Sequence, residues 1–369
     1  MGQRPLISIV IPTRERIETL RSTLGTALDQ RSQRIEVLVS DNASSDGTAE
    51  FVTSITDERL RYVNPGRRLS MSANWDFALD HARGDYIVII GDDDAVLPGC
   101  VDRLITDMEH NPSDVYSWPK HVYVWPDSGR DAYVESIAAQ ADGRWLDLAK
   151  LSRKVLAMGG WGHYSLPSMY HSLVARRIPD EMRQRFGRVY QAALPDVFMA
   201  LCVPAFTDVA WDVGYSVTAH GRSSKSNGWV ATPNQQPTQI QRFIREYGDY
   251  HIHSSLYPDI PVIANLAPDA VLVAKDLFAD HYARATFGYE AMWALMCREA
   301  HVFKWRIAPW DVVRNRARIR KYHALRLLRF AEYLVWHGAH AVYSRIVRRG
   351  TMSSAARDIR TFVREISHA

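Results

Sequence analysis

Ile87-Val88-Ile89-Ile90-Gly91-Asp92-Asp93-Asp94 decides the reading of this 369-residue chain. Four aliphatic residues give way, after one glycine, to three consecutive carboxylates. An aliphatic run without polar alternation predicts a strand buried on both faces, as in a parallel sheet. Open α/β sheets bind their ligands beyond the carboxyl ends of the strands. Three adjacent acids at such an end repel one another, so a cation is expected among them. Carboxylate oxygens suit a hard divalent ion, Mg2+ or Mn2+. A solvated acidic turn is the competing interpretation, and the run alone leaves it open.

The preceding residues supply the rest of a sheet. Leu6-Ile7-Ser8-Ile9-Val10-Ile11 is an apolar run closed by Pro12-Thr13, and Ile35-Glu36-Val37-Leu38-Val39-Ser40 is another, closed by Asp41-Asn42. Between them Ile17, Leu20, Leu24, Ala27 and Leu28 recur at helical spacing. This is the rhythm of a strand–helix–strand unit in a parallel sheet. Ser44-Ser45-Asp46-Gly47-Thr48 is turn chemistry leading into a helix over 48–55. Trp75, Ala78 and Leu79 mark a further helix before the aliphatic run. Asp41 and the acids 92–94 therefore end two strands that can face one crevice.

Three ordered blocks carry a resemblance. Ser8-Ile9-Val10-Ile11-Pro12-Thr13, Val39-Ser40-Asp41-Asn42-Ala43-Ser44-Ser45-Asp46-Gly47-Thr48 and Gly84-Asp85-Tyr86-Ile87-Val88-Ile89-Ile90-Gly91-Asp92-Asp93-Asp94-Ala95-Val96-Leu97-Pro98-Gly99 resemble the family 2 glycosyltransferases of GT-A fold. The similarity covers residues 5–110, continues more weakly to 226, and stops there. It implies an α/β fold with a GT-A-like, Rossmann-type, mainly parallel sheet flanked by helices, followed by a mostly helical carboxyl-terminal region. It also implies a nucleotide-sugar donor, and physical grounds disfavour a cytidine one. An ionised Asp41 can accept the N3–H of uracil or thymine but would face a lone pair on cytosine.

The resemblance places Pro12 and Thr13 in the nucleoside pocket and Asp41 on the base, where a turn or helix-capping aspartate is the alternative. Arg14 occupies a slot that is often aromatic, and a guanidinium can stack on a base. Arg68, beside Arg67, is a candidate for the base or phosphates. Counted back from Pro98, Asp93 falls on the metal-ligating slot, Asp92 on the ribose slot and Asp94 on the final acid. Gly91 stands where the family pattern often begins with another Asp, so the division of labour among the three acids stays open. The metal would neutralise the departing diphosphate.

Leu194-Pro195-Asp196-Val197-Phe198-Met199-Ala200-Leu201 opens an apolar helix with an acid. By resemblance Asp196 is the general base of an inverting transfer, with Pro195 replacing the first acid of a family pair. A helix N-cap is the plainer role. Two β-like runs, 205–211 and 214–217, precede Thr218-Ala219-His220-Gly221-Arg222-Ser223-Ser224-Lys225-Ser226. There His220 is the candidate for metal or phosphate, Arg222 and Lys225 are candidates for the pyrophosphate, and the Gly/Ser residues suggest a loop able to close over the donor. In Met158-Gly159-Gly160-Trp161-Gly162-His163-Tyr164, Trp161 offers a face to an acceptor sugar or belongs to the core.

Composition excludes several classes. At 47% hydrophobic and 23% charged the chain is not bulk-disordered. No signal-peptide pattern or membrane-length apolar window is present. Three scattered cysteines, Cys100, Cys202 and Cys297, fit a reducing cytoplasm and form no metal motif. Residues 301–369 hold 15 Lys or Arg against 4 Asp or Glu, a net of +11, which leaves −7 for the first 300 residues of a chain with net charge +4. Ile319, Tyr322, Leu325, Leu328 and Phe330 recur among those arginines at helical spacing. A boundary is expected among Pro233, Pro237, Pro258, Pro261 and Pro268. This divides the chain into a catalytic domain over 1–235, with a nucleotide-binding half (1–110) and an acceptor half (111–235), and a basic helical region over 236–369. The basic helices suit either an anionic membrane surface or packing on the catalytic domain or on a second copy in a homodimer. No nucleic-acid module accompanies the charge.

The expectation is a metal-dependent, inverting glycosyltransferase using Mn2+ or Mg2+. It moves a sugar from a nucleoside diphosphate, UDP first among candidates, to a hydroxyl on a carbohydrate or lipid-linked glycan in surface polysaccharide or glycoconjugate synthesis. A cytoplasmic location, with the membrane's cytoplasmic face as a variant, goes with it. A noncatalytic nucleotide-sugar-binding scaffold is the first alternative, supported by Pro195. A nucleotidyltransferase is the second, but Pro12-Thr13-Arg14-Glu15-Arg16 lacks the glycines of a phosphate loop.

Overall fold

The computed structural model describes residues 5–126, 132–136, 141–226, 244–248, 251–256, 263–302, 332, 335, 352–353 and 358–367. The first half runs β1 (Ile7–Thr13), α1 (Ile17–Leu28), β2 (Ile35–Asp41), α2 (Thr48–Thr53), β3 (Leu60–Val63), α3 (Met71–His81), β4 (Tyr86–Ile89), β5 (Ala95–Val96), α4 (Cys100–His110), β6 (Val115–Ser117), β7 (His121–Val124) and β8 (Tyr133–Ser136). Then follow β9 (Arg144–Asp147), α5 (Leu148–Ala157), β10 (Ser172–Ala175), α6 (Arg177–Phe186), α7 (Pro195–Cys202), β11 (Val209–Asp212) and β12 (Thr218–Arg222). The last described elements are α8 (Ile263–Leu277), α9 (Tyr289–Val302), β13 (Met352–Ser353) and α10 (Ile359–Ser367).

The larger sheet has eight strands in the order β3-β2-β1-β4-β10-β6-β11-β9. Its amino-terminal half, β3 to β4, is wholly parallel. Here the continuous aliphatic runs behave as expected: β1 and β2 are buried along almost their whole length. Between them α1 buries Leu20, Leu24 and Ala27, one stripe of an amphipathic helix. Past β4 the chain reverses. β10 lies antiparallel to both β4 and β6, and β9 antiparallel to β11, so the sheet is mixed toward that edge. The result is a GT-A-type arrangement, with a mainly parallel amino-terminal half and helices on its faces.

Register sets the crevice. β1 and β2 pair from Ile7↔Ile35 to Thr13↔Asp41, so Thr13 and Asp41 end level. β4 pairs with β1 up to Val10↔Ile89, and Ile90 N–H still donates to the Val10 carbonyl at 3.0 Å. The acids then form the turn into β5, a strand of the second sheet, whose order is β13-β8-β7-β12-β5. Asp92–Asp94 therefore occupy the junction of two sheets. β12 begins just after the β-like run 214–217 and takes in Gly221 and Arg222, where the Gly/Ser residues after His220 suggest a loop. It pairs with β7 on one side and β5 on the other, and that two-sided pairing overrides its weak local preference.

The carboxyl-terminal helices share the main hydrophobic core. Ala270, Val271, Leu272 and Ala274 of α8 and Met292, Trp293 and Ala294 of α9 belong to the cluster that includes Val197–Cys202 of α7. Tyr282 donates its hydroxyl to the Leu201 carbonyl at 2.6 Å. Pro268 lies inside α8 rather than at a boundary. Pro233, Pro237, Pro258 and Pro261, and the basic stretch with Ile319, Tyr322, Leu325, Leu328 and Phe330, lie outside the described residues. No described helix is long and apolar enough to cross a membrane.

The chain end returns to the small sheet. α10 buries Ile359, Phe362 and Val363 against Ala95, Tyr123, Trp125 and Ala219. The Phe362 ring stacks on Tyr123 with centroids 5.2 Å apart. Arg364 reaches Asp29, the residue that caps the end of α1, at 3.0 Å, a surface pair of little energetic weight. Phe362→Ala should cost about 3–5 kcal/mol of stability, the usual range for removing a buried aromatic ring. Urea unfolding would register this, and an unchanged midpoint would show that α10 is not part of the cooperative fold.

Candidate active site

Asp41 is fully buried at the end of β2. Its Oδ2 accepts from Tyr62 Oη at 2.7 Å and Asn64 Nδ2 at 3.3 Å, and its Oδ1 accepts from Ser44 N–H at 3.0 Å. These contacts fix the carboxylate, while each oxygen has lone-pair capacity beyond them. Pro12 borders the same edge, half-buried. Thr13 turns inward and donates its hydroxyl to Asp92 Oδ2 at 2.7 Å. Arg14 is held in an ion pair with Glu246 at 2.6 Å, which brings the 244–248 segment onto this side. Arg68 stands at the rim, pairing with Glu15 at 2.9 Å.

The three acids do different things. Asp92 binds Thr13 and, through Oδ1, Arg16 Nη1 at 2.8 Å. Arg16 also donates to the Lys225 carbonyl, so one guanidinium joins the first βα turn to the 223–226 segment. Lys225 Nζ in turn donates to the Glu15 carbonyl at 3.3 Å. Asp93 faces that segment. Its Oδ2 accepts from Ser223 N–H at 3.2 Å, Ser223 Oγ at 2.8 Å and Ser226 Oγ. Burial and the neighbouring Asp94 charge raise the Asp93 pKa. Trp125 Nε1 donates to the Asp93 carbonyl at 2.8 Å. A Cβ on Gly221 would sit 1.6 Å from that carbonyl oxygen, so only glycine lets β12 lie this close.

Asp94 faces the histidines. Gly221 N–H donates to Oδ1 at 2.8 Å, and Tyr170 Oη and Gly91 N–H donate to Oδ2 at 3.0 and 2.5 Å. His220 Nδ1 lies 3.2 Å from Oδ1, and His171 Nε2 lies 3.0 Å from Oδ2. One ligand atom from each of Asp94, His171 and His220 lies within 4.8 Å of the others. Asp93, the acid that the resemblance assigns to metal, has its Oδ2 on the two serines.

This donor set fits a divalent ion. Burial opposes ionisation of Asp94, but its contacts with His171 and His220 outweigh that and hold the carboxyl well below the ordinary range. Burial pushes His171 down to about 4 against the pull of Asp94, so the ring is neutral at pH 7. Nothing need be displaced as a proton before it ligates. His171 Nε2 is buried and, despite its nearness to Asp94, has no aligned hydrogen-bond partner among the described residues. Its Nδ1 lies 2.8 Å from Thr218 Oγ1, which also accepts from Trp118 Nε1 at 2.7 Å. The tautomer that donates Nδ1–H to Thr218 leaves the Nε2 lone pair aimed into the cluster, the outer-shell arrangement common to metal-binding histidines.

Backbone strain concentrates here. Among the described residues, the non-glycines at positive φ are Glu15 (54°), Ala43 (54°), Met169 (64°) and His171 (54°). The first two follow β1 and β2, and the last two lead into β10. Left-handed backbone costs a non-glycine residue about 1–3 kcal/mol and persists where the surroundings over-determine it.

Asp196 approaches from α7. Leu194, not Asp196, is the N-cap, Pro195 takes the first turn, and Asp196 follows. Its half-buried carboxylate makes no hydrogen bond or ion pair among the described residues. The loop leading to it is pinned to α3: Asp76 accepts from Val189 and Tyr190 N–H at 3.0 and 3.4 Å, and Ser72 donates to the Ala192 carbonyl at 2.6 Å. The charges of Asp196 and Asp94 both act on Tyr170 and on Lys120. His163 feels Asp196 and Lys120 as well. Trp161 is partly buried at the edge of the main core, with its ring 6.2 Å from exposed Tyr164. Arg222, ending β12, is near enough to Lys120 for their charges to repel.

The residues that sequence reasoning missed are Arg16, His163, Tyr170 and His171. Only Arg16, two residues after the Pro12-Thr13-Arg14 block, carried a positional hint. His171 stands alone in its segment, and a left-handed turn, which no sequence period reports, delivers it.

Comparison with known proteins agrees with this geometry. Residues 8–145 match the family described as Glycosyl transferase family 2. A Campylobacter jejuni GalNAc(5)-diNAcBac-PP-undecaprenol beta-1,3-glucosyltransferase is 28% identical over 115 residues, 30% of this chain and 37% of that protein. An Escherichia coli UDP-Glc:alpha-D-GlcNAc-diphosphoundecaprenol beta-1,3-glucosyltransferase, WfaP, is 29% identical over 89 residues, 24% of this chain and 36% of that one. The matches thus span little more than a third of these relatives. Staphylococcus aureus TarS 1-349, solved with UDP-GlcNAc, superposes with a TM-score of 0.51 at 12% identity over 86% of this chain and 93% of its own, a likeness of fold. Over residues 8–145, then, the chain is similar to glycosyl transferase family 2.

Proposed function

We propose that the protein transfers a sugar from a nucleoside diphosphate, UDP first, to a hydroxyl of a glycan acceptor, with inversion at the anomeric carbon. The observation that supports this reading is that Asp41 ends level with Thr13, which bonds Asp92 in the acid turn, while Asp94 of the same turn clusters with His171 and His220. Asp41 would accept the base N3–H. Asp92, with Thr13 and Arg16, would face the ribose and diphosphate. Asp94, His171 and His220 would hold Mn2+ or Mg2+, which supplies positive charge to the departing diphosphate. Arg222 and Lys225 stand where further phosphate contacts are available.

Asp196 would take the proton of the acceptor hydroxyl as its oxygen attacks the anomeric carbon and the bond to the phosphate oxygen breaks. A carboxylate in the first turn of a helix is favoured as the anion, which keeps it ready to accept. The undecaprenol-linked names of the relatives support a lipid-linked glycan acceptor, and with it polysaccharide or glycoconjugate assembly at the membrane's cytoplasmic face.

A donor screen tests the reading. Hydrolysis of UDP-, dTDP- and GDP-sugars is followed with Mn2+, with Mg2+ and with chelator. Metal-dependent turnover of a UDP- or dTDP-sugar is expected, and tight metal-free binding without turnover would favour the scaffold alternative.

A further inference from the structure

Tyr62 has no part in the transfer chemistry, yet it bonds the residue given to the base. It lies on β3, which pairs in parallel with β2 so that Tyr62 registers with Val39, two residues before Asp41. Residues two apart on a strand share a face, so Val39, Asp41 and Tyr62 stand on one side of the sheet. The ring packs against the apolar cluster that holds Val39, and the hydroxyl donates to Asp41 Oδ2 at 2.7 Å. Phenylalanine would fill the same ring volume, so packing alone does not require the hydroxyl.

The direction of that bond is fixed by its neighbours. Gly66 N–H donates to Asn64 Oδ1 at 2.8 Å, which leaves the Asn64 amide nitrogen to donate to Tyr62 Oη at 3.0 Å. An ionised carboxylate can only accept. The phenol proton is therefore turned onto Asp41. Burial above all, with the Asp41 contact adding to it, pushes the Tyr62 pKa up to about 12, so the phenol is a donor at pH 7.

A carboxylate turns easily about its terminal torsion, whose preferences are broad. Here Ser44 N–H holds Oδ1 and the Tyr62 hydroxyl holds Oδ2, one oxygen from the residues after β2 and the other from the neighbouring strand. That sets the plane of the group. The third contact, Asn64 Nδ2 to Oδ2 at 3.3 Å, is the longest and comes from an exposed residue. It is the one that an arriving base N–H can replace. All three partners are donors, so they favour a carboxylate that accepts from a base and offers no proton to the cytosine ring nitrogen.

We propose that Tyr62 is a positioning residue for the nucleobase: its hydroxyl sets the plane of the Asp41 carboxylate and, through it, the preference of the site for a base bearing an N–H over cytosine. This rests on the base-reading role given to Asp41 above and names the residue that makes it selective.

Calorimetry with UDP and with CDP, each in the presence of Mn2+, tests it on the full chain. The wild type should bind UDP at least about thirtyfold more tightly than CDP, the scale of one hydrogen bond to a charged group. Tyr62→Phe should cut that preference at least about fivefold, chiefly by weakening UDP, because it removes one bond to the carboxylate and keeps the ring. Its melting curve and its nucleotide-free Mn2+ affinity should match the wild type, which shows that the fold is kept. Asp41→Asn is the reference, since an amide can turn either a donor or an acceptor to the base and should lose the preference. An unchanged preference in Tyr62→Phe overturns the proposal. So does a loss of UDP and CDP affinity by one common factor, which would mark the hydroxyl as structural only. A preference lost in Asp41→Asn but kept in Tyr62→Phe sinks this inference alone. A wild type without the preference, or an Asp41→Asn variant that keeps it, sinks the base-reading role of Asp41 as well.

Discussion

Asp94→Asn is expected to weaken Mn2+ binding by more than roughly a hundredfold, since outer-shell changes alone cost about ten- to a hundredfold in metal sites. The substitution replaces an anionic oxygen ligand by a neutral amide between two imidazoles. It also leaves Gly221 N–H, Gly91 N–H and Tyr170 Oη competing for fewer acceptor lone pairs. Asp93→Asn is the informative contrast. Asp93 meets Ser223 and Ser226, and an amide oxygen can still accept from the Ser223 N–H and a hydroxyl. Its metal affinity should stay within about tenfold of wild type, and His171→Ala should behave like Asp94→Asn with a smaller loss. Calorimetry with Mn2+, alone and with UDP, separates these cases. Loss in Asp93→Asn with affinity kept in Asp94→Asn would return the metal to the acid that the family pattern favours.

That contrast shows where sequence stops being informative. A run such as Ile87-Val88-Ile89-Ile90 has one comfortable environment, the two-sided interior of a parallel sheet, so the strand and the acids at its end are readable together. Asp41 is readable for the same reason, at the end of β2. The choice among Asp92, Asp93 and Asp94 is not. It depends on the turn that enters β5, on the close approach of Gly221, and on which neighbours face each carboxylate. His171 depends on a left-handed backbone and on Thr218 from another sheet. The carboxyl-terminal end shows the same limit. The amphipathic pattern of 359–367 announces a helix with one apolar face, but its partners, Tyr123 and Ala95, are fixed by tertiary packing.

Asp196→Asn should leave donor and Mn2+ binding within about threefold of wild type while lowering transfer by at least about a hundredfold, the usual contribution of a positioned base. Both halves follow from its surroundings. Asp196 touches none of Asp41, Asp92 or the Asp94–His171–His220 cluster, so neutralising it removes no donor or metal contact. Its support is independent of its charge: Pro195 starts α7, Val197 to Cys202 bury the helix, and Asp76 and Ser72 hold the loop before it. An isosteric amide should therefore sit in the same place and lack only basicity. Because the attack is a single displacement, the product should carry the opposite anomeric configuration from the donor, with no covalent sugar–enzyme species trapped on the way. NMR of the anomeric proton in donor and product reads the stereochemistry, and initial rates of Asp196→Asn read the base. Retention of configuration would replace the single displacement by a route through a nucleophile. Near-normal rates with inversion would keep the mechanism and pass the proton to another group, with His163, which burial chiefly pushes toward its neutral form, the first to substitute.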